Sequence, residues 1–186
     1  MNPRPGSGGW IETITGCMFS GKSEELIRQL RRAVIARQAV QIFKPRLDDR
    51  FDEEHIVTHS QIRLKSRAVL DADELRQAVA EDTDVVGVDE AQFFDQRLVG
   101  VATELAGAGR RVIVAGLDLD YRGEPFEPMP QLMAVSEYVS KQLAICMVCG
   151  DHAHFSQRLT SSTERIEVGA GETYEARCRL HFDRPE

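Results

Sequence analysis

Hydrophobic residues first alternate with polar ones and then change to a helical period. WIETIT at 10–15 alternates and predicts a strand; from about residue 23, Leu26, Ile27, Leu30, Ala33 and Val34 share one helix face. Glu24 and Glu25 open that helix and Arg28, Arg31 and Arg32 follow, the order that complements a helix dipole. AVQIF at 39–43 predicts a second strand, which Lys44-Pro45 would end because proline cannot donate to a ladder. Onward to about 69 the chain is polar, broken by short apolar pieces at 56–57 and 62–64. Asp71 or Asp73 can cap a short helix holding Leu75 and Val79. VVGVD at 85–89 and RVIVAG at 111–116 suit strands covered on both faces. Between them Phe94, Leu98, Val101 and Leu105 have helical spacing, with Gly107 and Gly109 as a stop.

Alternating strands and helices up to about residue 117 imply an α/β fold, a mainly parallel sheet with helices on its faces. After 118 the pattern weakens, YRGEPFEPMP brings three prolines, and the remaining cysteines all lie further on. The chain therefore divides into a mobile leader at 1–9, a nucleotide-binding domain at 10–144 and a small module at 145–186.

Composition narrows the class. At 186 residues, with 42% hydrophobic and 28% charged residues, the chain can bury one ordinary core. A net charge of −7 argues against a nucleic-acid binder, whose affinity comes from neutralised phosphates. No apolar run is long enough to span a membrane and MNPRPGSGGW lacks the core of a secretory signal, so the expectation is a soluble cytoplasmic protein with reduced cysteines.

GCMFSGKS at 16–23 matches G-x-x-x-x-G-K-[ST] between a predicted strand and a predicted helix. Gly16 and Gly21 let the backbone turn so that N–H groups converge on phosphate oxygens at a helix N-terminus. Lys22 reaches the outer phosphates and the Ser23 hydroxyl is a magnesium ligand. Asp89 would stand at the carboxyl end of a buried strand and hold magnesium directly or through water. Glu90 follows it and could take a proton from an attacking hydroxyl or water, which points to phosphoryl transfer.

Cys146 and Cys149 in CMVC, with Cys178 and His181 in CRLH, form a Cys3His set. Four protein ligands of this kind suit tetrahedral zinc with no open position, hence a structural site. His152 and His154 are expected on the surface, outside the set.

With these motifs in place, the chain resembles the type II thymidine kinases, a zinc-containing family with a P-loop core. The resemblance runs through GCMFSGKS, KPRLDDR, VDEAQFF, GLDLDYRGEPF, CMVC, SQR and VGAGETYEARCRLH, spanning 16–181. It implies a RecA-like P-loop core with a zinc-bound lid, and transfer of the γ-phosphate of ATP to the 5′-hydroxyl of thymidine with Glu90 as base. It also places Cys17, Met18, Phe19, Ser20, Asp48, Arg50, Ala91 and Gln92 with the nucleotide. Around the nucleoside it places Met18, Phe93, Leu117, Tyr121, Phe126, Ser156 and Tyr174, with the backbone of Arg165, Ile166, Glu167, Val168 and Gly169. Without it, Met18, Phe93 and Leu117 read as ordinary core. Inhibition by thymidine triphosphate and a homotetramer are implied likewise.

Three positions depart from the family pattern. Cys17 stands where proline is usual, Ser156 replaces threonine, and Ala170 replaces the second glycine of a Gly-Gly pair. The competing classes are a P-loop ATPase or regulator without nucleoside activity, and a zinc-ribbon nucleic-acid binder.

Overall fold

The computed structural model of the chain describes residues 8–46, 55–57, 63–161 and 173–184. The expected leader lies outside them as far as residue 7. In chain order the first elements are β1 (Trp10–Gly16), α1 (Lys22–Ile35), β2 (Val40–Pro45), β3 (His55–Val57), β4 (Arg63–Lys65) and β5 (Arg67–Val69). Then come α2 (Ala72–Ala78), β6 (Val85–Val88), α3 (Arg97–Gly107), β7 (Arg111–Gly116), α4 (Met129–Val135) and β8 (Tyr138–Gln142). Six strands form one sheet in the order β5-β2-β6-β7-β1-β8, and every neighbouring pair is parallel.

Alternation along the buried strands sends side chains into two cores. Ile14, Ile42, Val85, Ile113 and Ala115 pack with Leu26, Ile27, Leu30 and Ala33 of α1. Phe43, Val86, Val88, Val112 and Val114 point the other way, toward Leu75, Leu98, Val101, Leu105 and Leu132 of α2, α3 and α4. The expected helices on both faces are thus present. Gly87 lets α1 close on the sheet, since a Cβ there would lie 2.9 Å from Leu30 Cδ1.

Several boundaries differ from the sequence expectation, each for a local reason. β2 runs through Pro45 instead of ending before it. The Arg46 N–H donates to Val69 O of β5, so the nitrogen of residue 45 faces the β6 side, where pairing has ended at Phe43 and Val88 and no ladder bond is lost. Asp71 is the α2 cap, its Oδ1 accepting from the Glu74 N–H at 2.8 Å, while Asp73 pairs with Arg97. Phe94 precedes α3, and Gly107 is the last residue of that helix; Gly109, at φ 86°, makes the stop. The sheet also continues past residue 117. β8 lies beside β1 with most of its residues exposed, and so carries no clear apolar alternation. It is fixed by the Ile11 N–H donating to Glu137 Oε2 at 2.7 Å and by a 2.7 Å bond between Thr13 and Ser136 hydroxyls.

Two loop regions shape the carboxyl edge of the sheet. Asp120, buried after β7, accepts the N–H groups of Arg122 and Glu124 at 2.9 and 3.1 Å and folds 118–126 back on itself. Beyond β8, β9 (Ala144–Ile145) pairs with β10 (His152–Ala153), and β11 (Phe155–Arg158) pairs with β12 (Tyr174–Arg177), all antiparallel. Their small core holds Ala144, Cys146, Ala153, Ala176 and Cys178, and also Cys17 from the glycine turn. Among the described residues no helix is long and apolar enough to cross a membrane.

Leu30 is fully buried between α1 and β6. Leu30→Ala should lower the unfolding free energy by about 2–5 kcal/mol in denaturant titration, the range for a buried leucine truncated without full collapse.

Candidate active site

The turn after β1 is built on positive backbone angles. Gly16 sits at φ 141°, Phe19 at 65° and Gly21 at 83°. Gly16 is required by close approach as well, because a Cβ would meet Gln142 O of β8 at 2.2 Å. Gly21 is the N-cap of α1 and brings no side chain to cap it, an arrangement that suits the first N–H groups to a ligand. The Ser20 hydroxyl is buried with no partner among the described residues. Half-buried Lys22 donates from Nζ to Cys17 O at 2.7 Å, holding the turn closed across itself. Burial lowers the Lys22 pKa, against the pull of Glu90, Cys17, Asp89 and Asp118. An orphaned hydroxyl, uncapped N–H groups and a desolvated ammonium together fit a chain of phosphates.

Facing this turn, β6 is followed directly by Asp89, which is 7% exposed. Ser23 Oγ donates to Asp89 Oδ1 at 3.4 Å, and the Glu90 N–H donates to the same oxygen at 3.0 Å. Burial and then the adjacent Glu90 charge push the Asp89 carboxyl up to about 7, opposed by the Glu90 N–H, Lys22 and Ser23. A divalent cation between Ser23 and Asp89 would supply the charge this carboxylate lacks. Glu90 is exposed and lies at φ 51°, unusual for a residue with a Cβ. Its Oε2 accepts from Gln92 Nε2 at 2.6 Å, and Gln92 Oε1 accepts the Leu117 N–H at 3.0 Å.

Aromatic residues gather beyond the two acids. Phe93 and Phe126 meet edge to face with centroids 6.0 Å apart. The guanidinium of buried Arg158 lies 3.6 Å over the Tyr121 ring and donates to the Tyr174 hydroxyl, at 2.7 Å from Nη2. Ser156, on the same strand, accepts the Met18 N–H at 3.0 Å, and Cys17 Sγ lies 3.4 Å from Ala153 O. The glycine turn is therefore bonded directly to the small module.

In that module Cys146, Cys149, Cys178 and His181 point their ligand atoms at one centre, all within 4.8 Å of one another. Cys149 and Cys178 sulfurs are 3.8 Å apart, and His181 Nδ1 lies 3.2 Å from Cys178 Sγ and 3.9 Å from Cys146 Sγ. A tetrahedron with arms of about 2.3 Å has edges of about 3.8 Å, so the set fits a four-coordinate thiophilic ion. His152 and His154 stand outside it: His152 is exposed, and the His154 ring packs on Phe155.

The family model for thymidine kinase matches residues 9–182. A thymidine kinase from Rhodothermus sp. (strain ITI 518) is 57% identical over 180 residues, covering 97% of this chain and 84% of that protein. One from Bdellovibrio bacteriovorus is 51% identical over 178 residues, covering 96% and 87%. The chain belongs to the thymidine kinase family. A solved structure of the ATPase DotB from Legionella pneumophila superposes with a TM-score of 0.48 at 16% identity, over 78% of this chain and 44% of that one, too slight a likeness to bear on function.

In this thymidine kinase family member the fold brings Gly16, Gly21, Lys22 and Ser23 to the same sheet edge as Asp89 and Glu90. Ala91 is fully buried in the core behind Asp89, and exposed Phe19 forms the tip of the turn. Asp48, Arg50, Ala170 and the stretch from Arg165 to Gly169 lie outside the described residues. Sequence reasoning passed over two residues. Arg158 stood in SQR without a role. Asp118, buried with its Oδ2 2.5 Å from Lys141 Nζ, has an Oδ1 with no partner among the described residues; its signal was the one that marked Asp89, an acid just past a strand buried on both faces.

The raised Asp89 value has a thermodynamic consequence. Folding takes up a proton at this group between about pH 4 and about pH 7, so its contribution is lost as pH rises through that window. Asp89→Asn keeps an oxygen acceptor and should raise the melting temperature of ligand-free protein in chelator more at pH 8 than at pH 5. Equal shifts at both, by calorimetry, would contradict a buried charge there.

Proposed function

We propose that this chain is an ATP:thymidine 5′-phosphotransferase, making thymidine monophosphate for DNA precursor synthesis. The observation that carries the reading is the Ser23–Asp89 contact, which closes the phosphate turn onto the strand end bearing Glu90. The family membership supplies the substrate class.

On this reading the N–H groups of the turn and Lys22 hold the ATP phosphates, with Lys22 exchanging Cys17 O for a phosphate oxygen. Ser23 and Asp89 would hold magnesium, whose charge would offset that of the phosphates. Glu90 accepts the proton of the 5′-hydroxyl as its oxygen bonds to the γ-phosphorus. The bond from that phosphorus to the β,γ-bridging oxygen breaks, and ADP leaves with the electron pair. Asp48 and Arg50 would add charge near the phosphates.

Thymidine would lie among Met18, Phe93, Leu117, Tyr121, Phe126, Ser156 and Tyr174, its base edge read by main-chain groups at 165–169. An apolar contact to the 5-methyl is worth about 1–3 kcal/mol, so deoxyuridine is a poorer substrate and not an excluded one. Residues 145–186 act as a lid that keeps water from the γ-phosphate, stapled by zinc on Cys146, Cys149, Cys178 and His181. The core at 10–144, cytoplasmic location, homotetrameric assembly and inhibition by thymidine triphosphate complete the proposal.

Glu90→Gln should lower kcat by about 10²–10⁴-fold while ATP still binds; unchanged turnover in a coupled ADP assay would refute the base assignment. Elemental analysis should find one zinc per chain, lost in Cys178→Ser together with protease resistance of the small module. A metal-free wild-type protein with that module intact would contradict the staple.

A further inference from the structure

We propose that Gln92 is a positioning residue, a fixed amide that holds the Glu90 carboxylate in the orientation needed to receive a proton. The inference rests on Glu90 being the base, as proposed above.

Hydrogen-bond direction carries it. The Leu117 N–H can only donate, so the Gln92 atom 3.0 Å from it is the carbonyl oxygen, and the amide nitrogen must face Glu90. That nitrogen donates to Oε2 at 2.6 Å and needs a lone pair there, which ties up one carboxylate oxygen and leaves Oε1 for the substrate proton. The amide has little freedom: Gln92 is 3% exposed, and its anchor, the Leu117 N–H, directly follows β7, the neighbour of β6 in the sheet. Gly116 makes the room, because a Cβ there would fall 2.8 Å from Gln92 Oε1 and 2.7 Å from Met129 Sδ.

Glu90 needs such a tether. It is exposed, on a backbone at φ 51°, and a glutamate with three free side-chain torsions would sample many positions away from a bound hydroxyl. A displacement of about 1 Å at a reacting group can cost on the order of 10²-fold in rate. The Gln92 contacts run to Glu90 and Leu117, so the sequence-based grouping of Gln92 with the ATP phosphates gives way here to a role on the base.

A double-mutant cycle tests this. Gln92→Leu should lower kcat about 10- to 100-fold with KM for ATP and for thymidine within about twofold. In a Glu90→Gln background the same change should leave the residual kcat within about twofold, since Gln92 acts only through the carboxylate. Gln92→Asn, one methylene too short to span both partners, should show the same pattern and guards against a Gln92→Leu protein that fails to fold. Equal losses in both backgrounds, a raised KM for ATP, or full activity of Gln92→Asn would overturn the positioning role alone. Wild-type turnover of Glu90→Gln by itself would overturn the base assignment and this role with it.

Discussion

Two adjacent carboxylates at the end of a strand buried on both faces are an electrostatic problem that the surrounding structure answers. Asp89 is driven toward protonation by the same burial that makes β6 a central strand, and Glu90 beside it adds repulsion. The Ser23 hydroxyl, the Glu90 N–H and the desolvated Lys22 ammonium oppose this only in part. What would settle the charge is a cation with phosphates, and the turn from Gly16 to Gly21 is shaped to bring them in. Stability and function thus pull in opposite directions at one residue, as expected where a site is preorganised for charge that arrives with the ligand.

The turn in its turn is constrained from the far side. Cys17 packs in the core of the small module, the Met18 N–H is bonded to Ser156, and Gly16 presses against the end of β8. Two of the cluster's cysteines, Cys146 and Cys178, therefore share a packed unit with Cys17 of the turn. A cysteine at position 17, where the family resemblance expects proline, suits this arrangement: its small, buried side chain meets Ala153 O.

Much of this was legible in the residues themselves. The period-two and helical stretches to residue 117 marked β1, α1, β2, α2, β6, α3 and β7, because each buries a face and must pattern accordingly. Gly16, Gly21, Lys22, Ser23, Asp89 and the Cys3His set were legible because their chemistry demands particular residue types at particular spacing. β8 was not, since an edge strand with an exposed face carries no alternation. Nor was the run of β2 through Lys44 and Pro45, which depends on its pairing with β6 having ended at Phe43. Asp118 and Arg158 act through partners distant in sequence, Lys141 for one and Tyr121 with Tyr174 for the other, and spacing along a chain carries no record of such pairs. The link from Gln92 to Leu117 is hidden for the same reason.

On the function proposed above, this sheet edge delivers the terminal phosphate of ATP to a sugar alcohol in preference to water. Transfer of label from γ-³²P ATP across a panel of nucleosides, with magnesium present, tests this directly. The expected main product is labelled thymidine monophosphate, with a weaker product from deoxyuridine and little free phosphate. Label appearing only as inorganic phosphate, at a rate indifferent to nucleoside, would contradict it.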